Sequence, residues 1–93
     1  MFDKSLRFTE IKRIFDELGF RHGKVSPEEA KTPVAQIIFI HNPTDTLFAF
    51  PANTVVINPA RVESIRRILV GRGVVAEDVI NDILNKSPRK TLA

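Results

Sequence analysis

Cysteine is missing from this chain, and so are tryptophan and tyrosine. Without cysteine there is no disulfide framework, no thiolate nucleophile and no cysteine-ligated zinc site. Histidine is scarce. His22 and His41 are the two present, and no carboxylates flank them at a metal-ligand spacing, so no metal and no other cofactor is expected. Glycine is sparse, and Gly71-Arg72-Gly73 lacks the wider spacing of a phosphate-cradling loop. Ser64 has no neighbouring His–Asp set that would activate it as a nucleophile. No stretch approaches the roughly 18 consecutive apolar residues of a membrane span. The opening Met1-Phe2-Asp3-Lys4 carries no apolar segment of the secretory type, so the cytoplasm is the expected compartment and no membrane partner is expected. Every aromatic residue is a phenylalanine. Residues such as Phe39, Phe48 and Phe50 more often fill a core or an interface than form a base-stacking platform.

What is present fits a small folded domain. The chain has 93 residues, of which 43% are hydrophobic, enough for one unit with a modest core and too apolar for disorder. The expected division is a single domain over residues 1–93, with its core over about 9–84 and a basic tail over 85–93. The tail, with Lys86-Ser87-Pro88-Arg89-Lys90, reads as a disordered, solubilising end. The net charge of +3 is compatible with nucleic-acid binding and does not establish it.

Periodicity predicts the elements. Ile11, Ile14, Phe15 and Leu18 share one helical face, with Thr9 or Ser5 as N-cap. Gly19 ends that helix, and Phe20 is placed to pack back on Phe15. Phe20 to Val25 forms a first strand, and Pro27 to Pro33 a loop or single helical turn. Gln36 to Ile40 and Leu47 to Phe50 are two strands of an antiparallel hairpin, joined by the turn Asn42-Pro43-Thr44-Asp45 and ended by Pro51. Both strands are apolar on both faces. Helices can cover one face of such a sheet, so the other is expected to meet a partner. Asn58-Pro59 opens a second helix with Val62, Ile65 and Leu69 inward and Ile68 beside them; Gly73 ends it, and Val74 can pack back on Leu69. A last helix runs from Glu77 to Asn85 with Val79, Ile80, Ile83 and Leu84 as its buried stripe. The fold class is therefore α+β: a small three-stranded antiparallel sheet with helices on one face, in the order α-β-β-β-α-α.

Leu18-Gly19-Phe20, the hairpin from Ile37-Ile38-Phe39-Ile40-His41-Asn42-Pro43 to Pro51, the helix Val62-Glu63-Ser64-Ile65-Arg66-Arg67-Ile68-Leu69 and the stretch from Gly73 to Leu84 follow one another in a recognisable order. In that order and pattern the chain resembles the HicA-like (YcfA-like) toxin family from about Thr9 to Leu84. The segment from His22 to Pro33 matches no part of the pattern. The resemblance implies a fold like the double-stranded RNA-binding domain. It also implies a toxin–antitoxin origin, an endoribonuclease activity on messenger RNA, and a HicB-like antitoxin as partner. In that family the chemistry is carried by the histidine of a Gly-Ser-His motif. The matching residues here are Val34-Ala35-Gln36. Glutamine does not titrate, whereas cleavage through a 2′-hydroxyl needs a proton taken and returned.

These readings set the expectations. The leading one is a HicA-like domain with a degenerate site at Gln36 and no ribonuclease chemistry, retaining an RNA-binding or protein-binding role. One alternative is an atypical, active endoribonuclease using His41 or His22. Another is a self-associating module with no RNA role. Candidate RNA contacts are Lys12, Arg13, Arg61, Arg66, Arg67 and Arg72, with Lys12-Arg13, Arg61 and Arg72 able to join into one patch. Candidate interface residues, for a homodimer or a protein partner, are Ile37, Ile38, Phe39, Ile40, Phe48 and Phe50.

Overall fold

The computed structural model describes residues 4–85, so the basic tail lies outside the described residues. The elements in chain order are β1 (Leu6–Arg7), α1 (Phe8–Glu17), β2 (Arg21–Val25), α2 (Pro27–Ala30), β3 (Gln36–His41), a 3-10 turn (Asn42–Thr44), β4 (Thr46–Pro51), β5 (Val56–Ile57), α3 (Pro59–Gly71) and α4 (Glu77–Asn85). β2, β3 and β4 form an antiparallel sheet in that order, and β1 pairs with β5 in a separate two-stranded ribbon. The α+β class with a three-stranded antiparallel sheet is as the sequence predicts, and α2 is the single helical turn read as one option for Pro27 to Pro33; the ribbon is an addition to it.

Two helix ends are built alike. The Gly19 N–H donates to the Asp16 carbonyl (3.1 Å) and the Phe20 N–H to the Phe15 carbonyl (2.9 Å). At the end of α3 the Gly73 N–H donates to Val70 (3.1 Å) and the Val74 N–H to Leu69 (2.9 Å). Both are Schellman endings, and both glycines take the positive φ the motif needs, 90° at Gly19 and 77° at Gly73. The Phe15 and Phe20 rings then meet at 4.7 Å. Asn58 caps α3 as expected, its Oδ1 accepting the Arg61 N–H at 2.8 Å.

The start of α1 differs from the expectation. Neither Thr9 nor Ser5 caps it: the N-cap is Arg7, without a side-chain bond. The β1–β5 pairing takes that role, because the Phe8 N–H donates to the Val55 carbonyl at 2.8 Å and so satisfies one of the helix's free donors. Ile68 and Val79 were expected inward but are 39% and 46% exposed, because the buried stripes of α3 and α4 are narrower than their apolar runs.

Register sorts the sheet into two faces. Residues directly opposite one another point the same way. One face carries the rows His22–Phe39–Phe48 and Lys24–Ile37–Phe50, and the other Arg21–Ile40–Leu47 and Gly23–Ile38–Ala49. Phe39, Phe48 and Phe50 are buried and share one core with Phe15, Ile11 and Ile14 of α1, Val62, Ile65 and Leu69 of α3, and Ile80 and Leu84 of α4. Phe15 lies at its centre, 4.8 Å from Phe39 and 5.0 Å from Phe48, ring to ring. The second face stays open: Ile40 is 38% exposed and Leu47 59%.

Candidate functional site

Gln36 opens β3 on the open face, opposite Val25 and Pro51. Its Nε2 donates to Thr32 Oγ1 and to the Val34 carbonyl, each at 3.4 Å, while Thr32 Oγ1 donates to the same carbonyl at 2.7 Å. The amide is thus engaged in its own loop. His41 lies at the far end of β3, about 17 Å away at the usual rise per strand residue, so it does not replace a base at this position.

His41 has another setting. Its Nδ1 is 2.8 Å from Thr44 Oγ1, which is 2.7 Å from Thr46 Oγ1, and Thr46 is buried. Phe20 lies against the imidazole, ring centroids 5.1 Å apart. The chain of hydroxyls ties the end of β3 to the start of β4 and holds one ring nitrogen in place. His22 is exposed, with Nδ1 3.8 Å from Asp16 Oδ1, a contact that attracts when the imidazole is charged. Among the described residues no group of three or more His, Asp or Glu is placed to hold a metal ion.

The candidate RNA-contacting arginines are largely engaged within the fold. Arg13 bridges Glu10 (3.1 Å) and Glu17 (2.8 Å) along α1. Arg66 grips buried Glu63 with two bonds, Nε to Oε1 at 3.0 Å and Nη2 to Oε2 at 2.7 Å, and reaches Glu77 at 3.5 Å. Arg67 joins Glu63 at 3.2 Å. The hydrogen bonds from Glu10 and Glu63 hold the Arg13 and Arg66 guanidiniums above their ordinary pKa, against a smaller opposing effect of burial. Arg61 and Arg72 do something else. Arg61 sits 5.0 Å over the Phe50 ring and reaches the Ala49 carbonyl at 3.5 Å, and Arg72 reaches the Asp45 carbonyl at 3.3 Å. The two contacts are about 13 Å apart by strand rise, one on a carbonyl within β4 and one on the residue that precedes it. Lys12 is half-buried on α1.

The six candidate interface residues divide between the faces. Phe39, Phe48 and Phe50 are core, and Ile37 packs against it, so these four do not present an interface. Ile38 and Ile40 remain on the open face, joined by Leu47.

Sequence reasoning missed Arg21 and Lys24. They belong to the outer strand β2, whose residues 21–24 are all exposed, and neither forms an ion pair among the described residues. A shallow groove of about 330 Å³ runs beside them, lined by Gly23, Val25, Ile38 and Ile40 and bordered by Arg21, His22 and Lys24. The signal available was the run Arg21-His22-Gly23-Lys24, but its placement on an edge depends on strand order.

Fold and surface together define a small α+β domain with one helix-covered sheet face, one open apolar face and one basic strand edge. No family model, curated protein or solved structure matches the chain.

Proposed function

We propose that the chain is a HicA-like domain that has lost ribonuclease chemistry and works as a binding module, with a protein partner favoured over RNA. The observation that carries this reading is the open face: Ile40 and Leu47 are exposed and Ile38 is half-buried beside a strand edge whose Arg21 and Lys24 form no ion pair among the described residues, while Arg13, Arg66 and Arg67 are engaged by carboxylates. Gln36 at the family's histidine position, with its amide held in a loop, supports the loss of cleavage. A HicB-like protein or a second copy of the chain is the competing occupant of the open face, and a cytoplasmic location belongs to the same reading. Among the described residues no helix is long and apolar enough to cross a membrane.

One observation favours a second reading. The Thr44–Thr46 hydroxyls orient the His41 ring, as a general base requires, which supports an atypical ribonuclease. Incubation with mixed RNA between pH 5 and 9 separates the two. Intact RNA at every pH is the expected result. Cleavage that vanishes in His41→Ala would overturn the leading reading and establish the second.

A further inference from the structure

The two edges of the sheet are treated differently. Arg61 of α3 reaches the Ala49 carbonyl of β4, and Arg72, the C-cap of that helix, reaches the Asp45 carbonyl just before the strand. At β2 nothing comparable occurs: among the described residues, no backbone hydrogen bond reaches residues 21–25 from outside the β2–β3 ladder. An edge strand left in this state offers a row of N–H and C=O groups to an incoming strand. Gly23, in the middle of β2, adds a second feature. A Cβ built there would meet nothing within 4 Å, so a side chain at this position could extend into the groove beside Ile38 without a clash at its Cβ.

We propose that the β2 edge and the Gly23 groove form a docking site for an extended, acidic segment of a partner protein, which joins the sheet as a further strand. The proposal rests on the protein-binding reading above and names the chemistry of the partner. Main-chain pairing to β2 supplies the register. An apolar side chain of the incoming strand fills the groove against Ile38 and Ile40, and its carboxylates, which alternate to the other face, meet Lys24, with Arg21 adding positive charge at the rim of the groove. Charge selects the occupant. β2 reads Arg-His-Gly-Lys-Val, with three basic side chains and no acidic one. Antiparallel pairing of two copies about Gly23 would set His22 beside Lys24 twice and bring no carboxylate of β2 to either, so a second copy gains none of the charge pairing that an acidic strand gains. RNA is disfavoured for a different reason. Phe8, Phe15, Phe20, Phe39, Phe48 and Phe50 are all buried, so none of them offers the stacking surface that single strands use.

The probe is a synthetic seven-residue peptide alternating glutamate and valine, titrated into the ¹⁵N-labelled chain at low salt. Amide shifts are expected along β2 and at Ile38 and Ile40, with slowed hydrogen exchange in β2. Arg21→Glu with Lys24→Glu is expected to weaken binding by about tenfold or more, as the loss of two rim charges would. Gly23→Val supplies the decisive contrast: it fills the groove with a good strand former, so binding is lost while the melting temperature holds or rises. Equal binding by a peptide methylated on alternate backbone nitrogens, or by its lysine counterpart, would overturn the proposal. So would shifts confined to the helices, or β2 shifts produced by oligouridine or by raising the protein concentration alone. These outcomes are independent of RNA cleavage: a chain that cleaves RNA yet binds the peptide at β2 removes the functional reading and leaves the docking site standing.

Discussion

Glu63 and Arg66 face each other one helical turn apart on α3, joined by two hydrogen bonds of 3.0 and 2.7 Å, with their side chains only 9% and 14% exposed. Breaking such a pair leaves a charge with little water to receive it, whereas an exposed pair contributes little. Glu63→Ala should therefore destabilise the fold by about 2–4 kcal/mol, and Arg67→Ala, whose side chain is 69% exposed, by less than about 0.5 kcal/mol. Urea denaturation of the two variants measures the contrast. Near-equal losses would mean that the pair is not the anchor its geometry describes.

The glycines make a second contrast. Gly19 has φ of 90° in a helix ending, and Gly23 lies in an open strand position. Gly19→Ala should cost about 1–2 kcal/mol, from the left-handed backbone alone. Gly23→Ala should be neutral or gain up to about 1 kcal/mol, because a flexible residue leaves the unfolded chain. Thermal melts of both variants check the signs.

The two sheet faces predict opposite outcomes for neighbouring residues. Phe39 is fully buried among the rings of Phe15, Phe8 and Phe50, so Phe39→Ala should cost about 3–5 kcal/mol or prevent folding. Ile40→Glu, on the open face, should leave the melting temperature within a few degrees of the parent and reduce hydrophobic-dye binding. Sedimentation at micromolar concentration adds the oligomeric state: if the parent is a dimer and Ile40→Glu a folded monomer, a second copy occupies the open face.

Any RNA affinity should be weak and should fall steeply with salt, since the phenylalanines among the described residues are buried away from stacking and phosphate contacts would dominate. Arg21→Ala with Lys24→Ala should lower the salt slope more than Arg66→Ala with Arg67→Ala, because Glu63 already engages the second pair. Filter binding from about 50 to 200 mM salt reads both slopes. The reverse order would place RNA on α3.

Signals confined to a few neighbouring residues were the legible ones. Leu18-Gly19-Phe20, Gly73-Val74 and Asn58-Pro59 each encode a helix boundary within three residues, and all three boundaries stand where they were read. The run from Glu77 likewise became α4, beginning where it was read. The β1–β5 ribbon was illegible because two residues have no periodicity, and Leu6 meets Ile57 across fifty positions of chain. The ion pairs of the helical arginines were legible in spacing: Glu63 stands three and four residues from Arg66 and Arg67, a separation that places them together on any helix. Arg21 and Lys24 were not legible in this way. Nothing in their own neighbourhood says that β2 is outermost; that follows from β3 pairing with both other strands.

The guanidiniums of Arg61 and Arg72 along β4 also bear on how large an assembly built on this sheet can become. Fibres and runaway strand exchange need a unit that can be extended from both sides. Here side chains of the same chain reach over the β4 side, and the β2 side carries basic residues and no acidic one to pair with a second copy. If a partner strand joins at β2 as proposed, the expected product is a complex of fixed stoichiometry whose size does not grow with concentration.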